Sequence, residues 1–409
     1  MNIVHISTSD LIGGAAIAAY RLNLAFNKKG FNSNMLVLNT VSNNTSVVPF
    51  DSKIKYFKHV LFFKIEQYIQ KRIFNNSYTY SLGLRGKSIR KHSLLRKADI
   101  IYIHWVGNSF ISMNEIRKIV LLGKPIYLFL HDMYYITGGC HHSFNCEGYK
   151  TNCSGCTNIQ NPSFKWVANR ILEKKRNLWN DLNNLHIITP SLWLSDCVRE
   201  SALFRNTNTT TIPNILDTTS FKVFDRKIAR SILNLPNDKK LICFGANGGS
   251  KDPYKGWNIL LESIKYITSN NVEVVLFGGM LSFEEEKRIN FPIHQLGYMH
   301  DSYSLILMYN ACDVFVTPSL AESFSQTVSE SIACGTPCVG FNVGGVPDLI
   351  KHKQTGYLAK YKDVKDFAKG IDWVLSDTSI TREYLHNFAE QMYSENVIVE
   401  KHIGFWNVK

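Results

Sequence analysis

The chain has 409 residues, 45% of them hydrophobic and 12% aromatic, which is enough apolar content for two α/β domains of about 200 residues each and excludes a disordered chain. No apolar run approaches the roughly 18 residues of a membrane span. The net charge of +13 points to anionic partners, and between Lys53 and Lys97 twelve Lys or Arg residues accompany one acid, Glu66.

The first residues, MNIVHIST, lack a basic leader and read as a strand. No signal peptide is therefore expected, the location is expected to be cytoplasmic, and the nine cysteines are expected to be reduced. After the strand Asn2 to Ser7 comes a turn ending in Gly13-Gly14, then a helix from Ala15 to Lys29. A glycine pair at a helix N-terminus lets the backbone approach an anionic ligand. The spacing is not the G-x-G-x-x-G of a dinucleotide site, and an ordinary βα turn would look the same. Tyr56 to Phe74 repeats Phe57, Leu61, Ile65 and Ile69 at helical spacing beside Lys58, Lys64, Lys71 and Arg72. Such a helix either faces a core or lies on an anionic membrane. The basic excess running on to Arg96 and Lys97 favours a membrane surface for residues 53–97.

Asp99 to Trp105 and Pro125 to Leu130 read as buried parallel strands. The second ends in His131-Asp132, where an imidazole at a strand tip can reach a ligand crevice; a structural histidine is the alternative. Cys140, Cys146, Cys153 and Cys156 fall in one short loop ending in C-x2-C, the look of a structural zinc site. His141 and His142 are alternative ligands, and simple packing of reduced thiols is the competing reading. His186 to Thr189 and Thr209 to Pro213 are further strands. A second α/β pattern restarts at Lys240, with Lys251 and Lys255-Gly256 in the loop before a helix from Trp257. A lysine placed just before a helix suits a diphosphate. Glu273 to Phe277 and Gln295 to Met299 read as strands, and Asp301 to Asn310 as a helix.

Asp313 to Asp348 holds the densest signal. A strand (Val314 to Thr317) leads to a polar loop carrying Glu322, a helix carrying Glu330, a strand (Pro337 to Phe341) and a Gly344-Gly345 turn, which together make a βαβ unit of a parallel sheet. Two carboxylates at this spacing can each accept a pair of hydroxyls, while Ser323 to Gln326 offer backbone N–H groups to a diphosphate. Two solvated helix acids are the plain alternative. The segment resembles the E-x7-E signature of retaining family 4 glycosyltransferases, which have the GT-B fold. The family pattern E-G-F-G-x4-E stands here as Glu322-Ser323-Phe324-Ser325-x4-Glu330. The resemblance extends to Gly13-Gly14, His131, Lys255-Gly256 and Gly344-Gly345. It departs at Ser250, where the family usually has an arginine that Lys251 would replace only as a point charge.

The resemblance implies an α/β chain of two facing Rossmann-like domains, 1–216 and 217–393, with a deep cleft and a last helix, 394–409, crossing back onto the first. It places a UDP- or GDP-sugar on the second domain and the acceptor on the first. Glu322, His131 and Lys255 would be the catalytic residues. Gly13, Gly14, Lys251, Lys255, Phe324, Ser325, Gln326 and Glu330 would hold the nucleotide-sugar, with Glu330 on the ribose. The expected reaction is retaining transfer to a hydroxyl of a glycan or polyprenyl-diphosphate-linked acceptor in surface polysaccharide assembly, at the inner face of the membrane. It needs no cofactor, because lysine and backbone dipoles neutralise the leaving diphosphate. A nucleotide-sugar epimerase of the same fold and a non-enzymatic binder of anionic polymers are the alternatives. No RNA- or DNA-binding motif is visible, so no nucleic acid partner is expected.

Overall fold

The computed structural model describes residues 1–50, 53–74, 79–180, 182–245, 252–299, 301–377 and 379–406; of residues 53–62 only the helical backbone is described. The chain divides into two compact units, Met1–Pro213 with Val399–Lys409, and Asn214–Ile398. Among the described residues no helix is long and apolar enough to cross a membrane.

The first unit is built on seven strands: β1 (Asn2–Ser9), β2 (Asn32–Asn39), β3 (Val47–Pro49), β4 (Ile100–Ile103), β5 (Ile126–Phe129), β6 (Leu185–Thr189) and β7 (Thr209–Thr211). Their order is β3-β2-β1-β4-β5-β6-β7, and every pair is parallel. The central strands β4 and β5 are buried throughout, as strands covered on both faces must be, and this is why they read as short unbroken apolar runs. The helix Gly14–Lys28 buries Ala18, Ala19, Leu22, Ala25 and Phe26, a three-and-four spacing that turns one stripe to the sheet. The strands β2 and β3 lie where no element was expected.

The helix Glu395–Trp406 ends in the core of the first unit. His402 is fully buried there with its Nδ1 3.0 Å from the Tyr102 hydroxyl, while Trp406 Nε1 donates to the same hydroxyl oxygen at 2.7 Å. The Trp406 ring sits 5.2 Å from that of Phe26.

The second unit holds β8 (Lys240–Gly245), β9 (Val272–Phe277), β10 (Ile293–Gln295), β11 (Val314–Thr317), β12 (Cys338–Phe341) and β13 (Gly356–Ala359). They run parallel in the order β10-β9-β8-β11-β12-β13. The strand expected at Gln295 to Met299 lies earlier, and Leu296 to Met299 form a loop after it. A buried arginine fixes the start of β11. Arg230 Nη2 meets Asp313 Oδ2 at 2.8 Å, and its other nitrogens donate to the carbonyls of Ala311, Pro236, Asn237 and Lys239. Arg226 reaches the second Asp313 oxygen at 2.6 Å, so the carboxylate at the strand entrance is neutralised from two sides.

Candidate active site

In an open parallel sheet, ligands gather beyond the carboxyl ends of the strands where the strand order reverses. In the second unit that point lies between β8 and β11, and the loops after these two strands carry Lys255 and Glu322. The two side chains meet, Lys255 Nζ lying 3.1 Å from Glu322 Oε2. The Glu322 charge pushes the Lys255 ammonium above its ordinary pKa and outweighs the opposing effect of burial.

The surrounding glycines explain how the pair is held. Gly256 has φ of +67°, and a Cβ there would collide with the Pro318 carbonyl. Gly344 has φ of +56° and leaves room for the Glu322 carbonyl, which accepts the Gly345 N–H at 2.8 Å. The Leu320 N–H donates to the Tyr254 carbonyl at 2.7 Å. Close backbone approach at both positions locks the lysine loop and the glutamate loop together, which no side chain larger than hydrogen would permit.

Glu330 is the fifth residue of the helix Gln326–Ala333 and is almost fully buried, accepting a hydrogen bond from the Tyr309 hydroxyl at 3.3 Å. Phe324 packs edge-on against Tyr393, with ring centroids 6.0 Å apart, so its ring belongs to the core. Ser325 caps the helix, and its hydroxyl lies 3.0 Å from that of Thr327. The Ser323 hydroxyl, which stands where the family pattern has glycine, is buried with no hydrogen-bond partner among the described residues. Lys251 and the Ser250 position lie outside the described residues.

The first unit reverses strand order between β1 and β4. The turn after β1 carries Gly13 (φ +90°), whose missing Cβ would meet nothing within 4 Å, and Gly14 begins the helix. Its Asp10, not singled out in the sequence, accepts the N–H groups of Leu11, Val41 and Ser42 at 2.8 to 2.9 Å and ties this turn to the loop after β2. Burial would raise the Asp10 carboxyl, but those bonds hold it below its ordinary value.

His131 follows β5 as expected, and it does not stand alone. Its Nε2 lies 3.0 Å from His104 Nδ1, and His104 Nε2 lies 3.0 Å from His5 Nδ1. Burial keeps all three neutral: His5 is lowered to about 3, His131 to about 4, and His104 well below the usual range. The inner end, His5 Nε2, has no hydrogen-bond partner among the described residues. A buried bare nitrogen costs less than a buried orphan N–H, so each ring donates outward: His5 to His104, and His104 to His131. His131 is left presenting Nδ1–H, a donor.

The four cysteines of the expected zinc site come together in the first unit. Cys140, Cys146, Cys153 and Cys156 line one cavity of about 190 Å³, yet among the described residues no three or more His, Cys, Asp or Glu are arranged to hold a metal ion. The thiols are free, and burial raises Cys140 to about 12 and Cys153 to about 11. His141, the alternative ligand, is committed elsewhere. Its Nδ1–H donates to Asp132 Oδ2 at 2.6 Å, and its Nε2 lies 2.9 Å from the Ser81 hydroxyl. Burial would raise the Asp132 carboxyl, but His141 and the Tyr134 N–H hold it below its ordinary value.

Comparison with known proteins agrees with this geometry. Residues 225–394 match the family model described as "Glycosyl transferases group 1". An uncharacterized glycosyltransferase of Methanocaldococcus jannaschii is 29% identical over 192 residues, 44% of this chain and 47% of that one. The chain thus spans at most about half the length of the first curated relatives it matches. Sucrose-phosphate synthase from Thermosynechococcus elongatus superposes with a TM-score of 0.66 over 99% of this chain and 98% of its own, at 15% identity. The Anabaena protein HepE in complex with UDP-glucose superposes with a TM-score of 0.64 over the whole of both chains, at 16% identity. The second unit therefore resembles a glycosyl transferases group 1 domain over residues 225–394, and the chain as a whole has the two-domain α/β fold seen in GT-B glycosyltransferases.

Proposed function

We propose that the chain is a retaining glycosyltransferase of family 4 type. It moves a sugar from a UDP- or GDP-sugar to a hydroxyl of a glycan or polyprenyl-diphosphate-linked acceptor. The observation that carries this reading is the Lys255–Glu322 pair at the strand-order reversal of a group 1 domain. A donor diphosphate competes with Glu322 for the Lys255 ammonium, and the released carboxylate turns to the sugar hydroxyls. The acceptor oxygen then bonds to the anomeric carbon as the bond to the diphosphate oxygen breaks on the same face. The departing oxygen takes the acceptor proton, its charge stabilised by Lys255 and by N–H groups at the start of the helix Gln326–Ala333. No cofactor takes part. His131, as a donor through Nδ1–H, suits an oxygen of the transferred sugar.

HepE binding UDP-glucose supports a nucleotide-sugar as donor. Exposed Ile65, Tyr68 and Ile69, with Lys64, Lys71 and Arg72 on the same helix, support a seat on an anionic membrane and hence a role in surface polysaccharide assembly at its cytoplasmic face.

The test is a thermal-shift panel of UDP-, GDP- and ADP-sugars, in which the true donor raises the melting point by mass action. Glu330→Ala is expected to abolish that shift and Glu322→Ala chiefly to lower turnover. Lys255→Met should weaken donor binding roughly ten- to a hundredfold, the scale of a charged hydrogen bond. Undiminished transfer by both glutamate variants would refute the assignment.

A further inference from the structure

A cavity of about 230 Å³ in the first unit lies beside the loop that follows β4 and is so far without a role. That volume falls below the roughly 300–1,000 Å³ of drug-sized ligand sites and suits one sugar residue better than a nucleotide. Its walls combine the rings of Trp105, Tyr80 and Tyr134 with polar groups from three chain segments: Glu66 and Gln70 from the helix Lys53–Ile73, Ser81, and Asn108 with Ser109. Among the described residues Glu66 and Lys71 are the charged ones in the lining, so the described walls are neutral in sum and offer no cluster of cations to a phosphate. Flat apolar faces set against a carboxylate, carboxamides and hydroxyls are what a neutral pyranose requires, since its ring has C–H faces and a rim of hydroxyls.

Two further features mark a built site. Asn108 and Ser109 are consecutive non-glycine residues with φ of +55° and +56°, a costly conformation that the surroundings must enforce. It delivers the Ser109 hydroxyl to Glu66, which accepts its hydrogen bond. Ser81 is oriented from behind. The Asp132 carboxylate accepts His141 Nδ1–H and so fixes the ring, whose Nε2 holds the Ser81 hydroxyl at 2.9 Å. The Ser81 oxygen is then set to accept a hydrogen bond from a ligand hydroxyl. Asp132 and His141 are positioning residues in this arrangement.

We infer that this cavity binds a neutral sugar residue and, on the reading of the chain as a glycosyltransferase, that it is the seat of the acceptor. Glu66 and Ser81 take its hydroxyls, and Trp105 covers its apolar face. Above the cavity the same helix exposes Ile65, Tyr68 and Ile69, which would place a lipid-linked sugar beneath the segment that meets its lipid.

The full chain is titrated with methyl glycosides of glucose, galactose, mannose and N-acetylglucosamine by saturation-transfer NMR, with UDP binding followed in parallel by thermal shift. At least one glycoside is expected to bind. Ser81→Ala should weaken it about tenfold and Glu66→Gln ten- to a hundredfold, with UDP binding unchanged in both. Ser81→Thr, which keeps the hydroxyl, should bind like the parent. No binding by any glycoside, or equal binding by parent, Ser81→Ala and Glu66→Gln, overturns the inference. Glycoside binding without any nucleotide binding would instead overturn the transferase reading and leave the sugar site standing.

Discussion

The two units solve the same problem, presenting polar groups beyond the end of a parallel sheet, by opposite means. The second unit uses ionised groups: Lys255 with Glu322 at the strand ends, and Arg226 and Arg230 with Asp313 at the strand starts. The first unit uses neutral ones, a file of three imidazoles from His131 through His104 to His5, with His402 also buried and lowered to about 3. Charges are strong where partners are paired and partly wet, but a buried charge without a counter-ion is expensive. An uncharged hydrogen-bonded file can penetrate the core at far lower cost. It also fixes the direction of every donor, because one tautomer decides the next.

The widest gap between the units should appear on mild acidification. Each buried histidine has a native pKa well below the 6.5 of the unfolded chain, so between those values the unfolded state binds the extra proton. Stability from these groups is therefore complete above pH 6.5 and lost as the pH falls toward 4. Each unit of depression is worth about 1.4 kcal/mol, so four such groups sum to several kcal/mol. Calorimetry from pH 7 to 5 should show the first unit melting progressively earlier; a melting point independent of pH would break the comparison.

Next in size, Arg230→Met leaves Asp313 short of a partner and should cost about 3–5 kcal/mol in urea unfolding of the second unit. A loss below about 1 kcal/mol would mean that Arg226 suffices. Gly344→Ala places a methyl group against the Glu322 carbonyl at positive φ and should cost about 1–3 kcal/mol. It should also weaken donor binding, read in the same thermal-shift panel. The smallest effect is expected from Asp10→Asn, about 1–3 kcal/mol with the lower end favoured, because the amide oxygen still accepts one backbone N–H.

The same contrast governs what could be read before folding. The donor side is legible because its parts are local. Val314 to Gly345 form one βαβ stretch, and a distant member, Lys255, is marked by a glycine whose need is visible in the Pro318 contact. The central strands were equally clear as short apolar runs. The strands β2 and β3 were not, since NSNMLVLN is short and polar at both ends and takes its place only through pairing with β1. The groups lining or backing the first-unit cavity come from residues 66, 81, 105, 109, 132 and 141, and no spacing announces them. His141 beside Cys140 suggested a metal, whereas its partners are an aspartate nine residues back and a serine sixty residues back. Chain-local chemistry leaves a pattern in sequence, and chemistry assembled by a sheet does not.

The route of the chain has a bearing on how the molecule is made. Residues 399 to 406 complete the core begun by β1 and its helix, yet they are translated after the whole of the second unit. The amino-terminal half therefore leaves the ribosome with Tyr102 and Phe26 unroofed and must wait for the carboxy-terminal half, which can close by itself in the meantime. The unit begun first is completed after the other, so a chain cut off before residue 399 would carry an open hydrophobic surface in its amino-terminal half.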